Sequence, residues 1–354
     1  MELSNSALSE PAEPTLTPGR AIVTPQWDAL LTGGLLAVCI AALAIYAHFV
    51  PADQLLTGTL VFTLAINGTH FLASYRLLYV SKANVLRYKS AAIYVPAFLV
   101  AYGVVALLFH AQNPATSWGI TSMLIVSSLY LALHYTGQAW GMMASFAFIE
   151  RVQFLPKERL LLRSSLRLLA LWQMGWSLHY LPEKPEWLLV ALAWLMPLLH
   201  ASLLIAAILG LFIFRGIRRR YGGTLPCRIY IPFLSLFIWY GCLWVYPQAI
   251  FWVQIAHALQ YLPFPARVEY NRLRLSKSNA SALRELGMYC LITLALSCLV
   301  FGIVPWAIHY NETGRNAAWV VILAIINIHH FYIDGCVWHI QNPEVRRNLF
   351  SHLH

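Results

Sequence analysis

VVILAIINIHHFYIDGCVW, residues 320–338, is the stretch on which the fold is decided. Up to Ile328 it is almost wholly apolar, and its length approaches the roughly 20 residues that carry a helix across a bilayer. Two adjacent histidines, His329 and His330, and then Asp334 stand where lipid-facing segments carry Leu and Val. An ionisable side chain at bilayer depth costs at least about 2.5–3.5 kcal/mol even on lenient insertion scales. A membrane helix with such residues calls for a compensating interaction elsewhere in the chain.

The composition extends this reading to the whole chain. Of 354 residues, 59% are apolar and 11% charged, with a mean hydropathy of +0.62. Soluble domains average about 25% charged, so the chain reads as an all-α, polytopic transmembrane helical bundle. The net charge of +10 does not mark a nucleic-acid binder, because almost every Lys and Arg falls in a short loop or at a helix end, the pattern of membrane topology. The six cysteines show no C-x-x-C spacing, which argues against structural zinc and a disulfide framework. The opening MELSNSALSEPAEPTLTPGR has no basic segment ahead of an apolar core, so it reads as a polar tail and not a signal peptide.

About ten spans, with nine to eleven as the range, are expected near 29–50, 56–80, 91–110, 118–143, 161–181, 187–215, 229–246, 248–264, 287–309 and 315–341. The basic stretches SKANVLRYKS, RVQFLPKER, RGIRRRYGG, ARVEYNRLRLSKS and PEVRRNL all then fall on one side, and the opposite loops keep Lys184, with Arg315 at an edge. By the positive-inside rule this predicts both termini in the cytoplasm and an inner-membrane location. The expected organisation is a flexible tail over 1–26, one transmembrane domain over 27–342 and a short tail over 343–354.

The histidines sort by depth. His48, His110, His179 and His309 fall at span ends and read as interfacial residues. His352 and His354 lie in the terminal tail, and His339 is ambiguous. His70, His134, His200, His257 and the pair His329–His330 fall on the second, fourth, sixth, eighth and tenth spans, all running in the same direction. At about 1.5 Å per residue they form one layer near the middle of the membrane. Single membrane histidines often serve only as interhelical hydrogen bonders. Several at one depth point instead to a site in the bundle core.

Polar neighbours three to five positions away support that site. Asn67 precedes His70, Gln138 follows His134, Gln254 and Gln260 flank His257, and Asp334 follows both His329 and His330. Gln138, Gln254 and Asp334 are candidates to hold the second ring nitrogen of metal-bound imidazoles. The candidate ligands are thus His70, His134, His257, His329 and His330, of which only one of the last pair is expected to face the centre. His200, in WLMPLLHASLL, lacks a polar partner and is the weakest member. Imidazole suits Fe, Cu, Zn and Ni. A mononuclear site with an open position is expected, with Fe(2+) as the metal and copper or haem as alternatives.

A His on an early span, HYTGQAW at 134–140, VQIAHALQYLPFPARVEYNRL at 253–273 and IHHFYID at 328–334 together resemble the membrane-integral bacterial and archaeal β-carotene dioxygenases of the Brp/Blh type. That resemblance implies a histidine-rich helical fold, iron, and cleavage of a carotenoid double bond by O2. It would place ligands at His70, His134, His257 and, by its distance to Asp334, His329. The function expected is an oxygenase acting on a hydrophobic substrate such as an isoprenoid, carotenoid or unsaturated lipid, with the bilayer and O2 as its other partners. A haem- or quinone-binding electron carrier and a proton-coupled transporter are the rival readings.

Overall fold

The computed structural model describes residues 21–34, 40, 49, 52–113, 117–181, 185–303, 312–338 and 343–353. Most of the expected first span, the tail over 1–20, and His48, His309, His339 and His354 lie outside them. The described residues are helical, with no strand among them. In order the helices are α1 (Pro25–Ala29), α2 (Ala52–Tyr79), α3 (Lys82–Arg87), α4 (Val95–Gln112), α5 (Trp118–Ile149), α6 (Pro156–His179) and α7 (Glu186–Tyr221). They continue with α8 (Cys227–Val245), α9 (Ile250–Tyr261), α10 (Pro263–Arg274), α11 (Asn279–Ser297), α12 (Glu312–Val337) and α13 (Pro343–Phe350).

Local chemistry sets their ends. Thr24, Ser81 and Ser278 cap α1, α3 and α11 by accepting the backbone N–H of Trp27, Asn84 and Ser281, which satisfies donors that a first helical turn leaves free. The α7 helix closes on Gly222 at φ 77°, a left-handed turn that favours glycine. Arg218, Arg219 and Arg220 in its last turn face the negative end of the helix dipole.

Six segments are long and apolar enough to cross a membrane: Ser90–Gln112, Trp118–Ile149, Glu186–Tyr221, Cys227–Val245, Asn279–Phe301 and Ala317–Val337. Their outward faces carry Phe98, Val104 and Leu108 on α4, Leu198, Leu204 and Phe212 on α7, and Leu291 on α11, all exposed. Water would penalise so continuous an apolar surface, whereas lipid does not. Two expected spans are of a different kind. The α6 helix carries Lys157, Arg159, Arg163 and Arg167 and buries one face, through Leu162, Leu166, Leu169 and Trp172. The α9 helix is only 12 residues long and passes directly into α10 at Pro263.

The α5 helix is the hub, packing against α4, α6, α8 and α12. On one side lies a core of Phe146, Leu169, Trp172, Phe233, Trp239 and Tyr240. On the other, α12 packs on α2 and α4, while α2 packs on α9 and α11. The helices α2, α5, α9 and α12 therefore surround one interior volume.

Ala21 and Ile22, expected as part of a flexible tail, are buried. Asp28 accepts the backbone N–H groups of Ile22 at 2.9 Å and Val23 at 2.8 Å, and its Oδ2 lies 2.9 Å from Arg228 Nη1. Arg228 also donates to Glu150 at 2.7 Å, and Arg267 donates to Ile22 O. The C-terminal tail is docked too: Leu349 and Phe350 are buried, Asn271 donates to Asn348 O at 2.9 Å, and His352 Nε2–H donates to Ala21 O at 2.7 Å. Both described ends of the chain thus meet on α10 and α8.

Arg228→Ala leaves Asp28 buried without its counter-charge, so it should cost about 3–5 kcal/mol in denaturant unfolding of the detergent-solubilised protein, against a smaller loss for Asp28→Asn. Glu269 links α10 to α2 through Arg76 at 2.8 Å and binds Arg272 at 2.5 Å. Burial pushes its carboxyl up, but hydrogen bonds from Arg272 and Arg76 and their charges outweigh this and hold it below the ordinary 4.5. A depressed carboxylate contributes stability that is complete above its unfolded value and lost as pH falls through the folded one. Thermal unfolding scanned from neutral pH to below 4.5 should show that loss in the native protein and a flatter profile in Glu269→Gln.

Candidate metal centre

Four imidazoles enter the volume between α2, α5, α9 and α12, one from each helix: His70, His134, His257 and His330. All are buried, His70 and His330 completely. The rings of His70 and His330 are 4.4 Å apart between centroids, those of His134 and His257 4.7 Å, and those of His70 and His257 5.0 Å. Asp334 lies one turn beyond His330 and so shares its face. Its Oδ2 is 3.6 Å from His330 Nε2 and 3.9 Å from His134 Nε2. The potential ligand atoms of His70, His134, His330 and Asp334 all lie within 4.8 Å of one another.

His134 Nε2 and His257 Nε2 are 2.9 Å apart. That distance suits a hydrogen bond. It also suits two ligands at right angles on one ion, since bonds of about 2.1 Å put such atoms about 3.0 Å apart. The remaining nitrogens separate the two descriptions. Both ring nitrogens of His70 and of His330, and Nδ1 of His257, are buried with no hydrogen-bond partner. A neutral imidazole carries one donor and one acceptor, and each buried group left unmade costs about 1–3 kcal/mol. Hydrogen bonding alone leaves most of this cluster unsatisfied, whereas a cation among His70, His134, His330 and Asp334 would take a lone pair from each of those three rings.

The walls are aromatic. Phe331 stacks on His134 at 4.6 Å, Phe71 lies 4.6 Å from His330, Tyr135 4.3 Å from His257 and Tyr261 4.1 Å from His70. These rings keep water from the imidazoles and raise the strength of any charge interaction inside.

The other sequence candidates fall elsewhere. His329 is turned about 100° from His330 by the helical repeat. Its Nε2–H donates to Ala91 O at 2.7 Å, and Nδ1 meets Tyr75 Oη at 3.1 Å. His330, and not His329, to which the family resemblance would assign a ligand role, points into the cluster. His200 belongs to a different part of the bundle, with its ring 4.2 Å from that of Trp244 and Nδ1 beside Met196 O. Asp334, expected behind the ligands, stands among them. Gln138 donates to the backbone O of His257 at 3.1 Å and not to a ring, and Gln254 is only half-buried. Gln260 holds Thr32 O at 2.6 Å and Ser235 Oγ at 2.9 Å, a tie between helices.

Ser74, Tyr261 and Trp338 also border the cluster and carry no metal-binding signature of their own. A signal was nevertheless present. Each clustered histidine is followed four residues later by a polar side chain: Ser74, Gln138, Tyr261 and Asp334. That spacing keeps both on one helix face.

A cluster of unpartnered nitrogens destabilises the metal-free fold, since apolar groups of similar shape carry no such penalty. In chelator-treated protein His70→Leu should therefore stabilise by about 1–3 kcal/mol, read from detergent unfolding curves. His329→Leu, which breaks two made hydrogen bonds, should destabilise. No protein-family model, curated protein or solved structure matches this chain.

Proposed function

We propose that the protein is a membrane-embedded, metal-dependent oxygenase, with non-haem Fe(2+) held by His70, His134, His257, His330 and Asp334. The observation that carries this reading is the set of buried, unpartnered imidazole nitrogens on His70, His257 and His330, beside ligand atoms of His70, His134, His330 and Asp334 that lie within 4.8 Å of one another. Such an ion, when bound, supplies O2 activation. The protein's residues would hold it, exclude water through Phe71, Phe331, Tyr135 and Tyr261, and keep the site among apolar helices. The substrate class proposed is an isoprenoid, carotenoid or unsaturated lipid, as in the β-carotene dioxygenases that the histidine blocks resemble.

The geometry weighs against the haem alternative. Two axial imidazoles on one haem iron need about 4 Å between their nitrogens, twice a bond of about 2.0 Å, with a flat macrocycle between them. His134 and His257 are at 2.9 Å, and the other two rings pack where a macrocycle would lie.

We also propose ten crossings of the inner membrane with both termini cytoplasmic. The His352–Ala21 hydrogen bond supports an even count, because it brings the two described ends to one side. The basic loops RVQFLPKER and RGIRRRYGG adjoin that end through Glu150 and Gly222, as the positive-inside rule requires of a cytoplasmic face.

Protein purified anaerobically should contain close to one iron per chain by elemental analysis. Neither iron nor copper in stoichiometric amount would overturn the proposal. His330→Ala should lower bound iron by more than about tenfold, the upper part of the range seen on losing even an outer partner, while His329→Ala should retain it. With iron bound, oxygen uptake should rise on adding a detergent-dispersed polyene and stay at background in His330→Ala.

A further inference from the structure

Three of the four polar residues that trail the histidines by one turn are joined to one another. Tyr261 Oη lies 2.6 Å from Ser74 Oγ and 3.3 Å from Asp334 Oδ1. Trp338 Nε1 donates to the same Oη at 2.8 Å. Ser74, Tyr261 and Asp334 are all buried, and they come from three of the helices that supply the imidazoles, α2, α9 and α12.

Donor and acceptor capacities limit the directions these bonds can take. An indole N–H only donates, an ionised carboxylate only accepts, and a phenol has one proton and two lone pairs. Ser74 Oγ also lies 3.4 Å from His70 O, and with Asp334 ionised the assignment that keeps the phenol donating to the carboxylate is as follows. Trp338 and Ser74 donate to Tyr261, filling both lone pairs, and Tyr261 places its single proton on Asp334 Oδ1. That oxygen is thereby engaged by the phenol. Oδ2 is left facing His330 at 3.6 Å and His134 at 3.9 Å. The same tyrosine ring stands edge-on against His70 at 4.1 Å, so one side chain braces ligands on two helices.

Resting on the metal reading above, we infer that Tyr261 is the positioning residue of this centre: it makes Asp334 a one-oxygen carboxylate ligand. The consequence is chemical as well as geometric. A single hard, anionic oxygen beside four imidazoles suits a divalent ion such as Fe(2+) better than Cu(I), which favours soft ligands. Ser74 and Trp338 act behind Tyr261, because their protons saturate its lone pairs and leave its own proton for the carboxylate.

The test is titration of the full-length, metal-stripped protein in detergent with Co(2+) alone, followed by the visible absorption of the bound ion. The wild type should bind one Co(2+). Tyr261→Phe, which keeps the ring against His70 and removes only the hydroxyl, should bind it about 10–100-fold more weakly. In an Asp334→Asn background the same substitution should change affinity less than about twofold, because the residue it acts through is already altered. Unchanged affinity in Tyr261→Phe, or an equal loss in both backgrounds, overturns the inference while leaving the metal site standing. A wild type that binds no Co(2+) overturns the metal site and this role together. Should Tyr261→Phe fail to fold, Ser74→Ala carries the test: a several-fold weaker affinity supports the role, and wild-type affinity overturns it.

Discussion

Everything distinctive about this bundle depends on how four buried imidazoles are compensated. In an apolar interior each unmade polar contact costs on the order of a hydrogen bond, and His70, His257 and His330 together present five such atoms. A chain selected for stability alone would place Leu or Phe at these positions. The surrounding packing is tight: Phe71, Phe331, Tyr135 and Tyr261 press on the rings at 4.1–4.6 Å. The rings are therefore held facing one another by the fold and are not left to find partners. Local frustration of this kind, inside elements that are otherwise mutually consistent, marks functional sites.

The scaffold shows how that frustration is carried. The α5 helix contributes His134 to the centre on one face and Phe146 to the large aromatic core on its other side. The cluster is thus anchored to the best-packed part of the molecule. At one end of the bundle the buried Arg228, between Asp28 and Glu150, ties residues 21–28 to α5 and α8. The C-terminal helix α13 closes over α10 beside it. Because α10 follows directly on α9, which carries His257 and Tyr261, this clasp bears on the placement of both. A short α9 needs that support, since 12 residues give only about 18 Å of helix.

Much of this was legible in the chain. The all-helical class follows from apolar runs of bilayer length, and His70, His134 and His257 were singled out by common depth on helices running in parallel. Depth is readable because it depends only on distance from a helix end. Facing is harder. His329 and His330 share a depth and differ by about 100° in direction, and only His330 turns into the cluster; the one sequence difference between them is that His330 has a polar residue, Asp334, four positions on, where His329 has Ile333. His200 shared the layer but sits across the bundle, beside Trp244. Gln254 and Gln138 had the spacing of outer partners, yet neither meets a ring, because side-chain reach depends on the crossing geometry of two helices.

The sequence by itself determined that the chain forms apolar helices and that imidazoles lie in one layer of them, because both are properties of local composition and periodicity. Only the tertiary structure decided which rings meet, that Asp334 stands among them with Tyr261 behind it, and that both ends of the described chain are docked. Those outcomes depend on the rotation and neighbours of each helix, which are settled by packing between segments far apart in the chain.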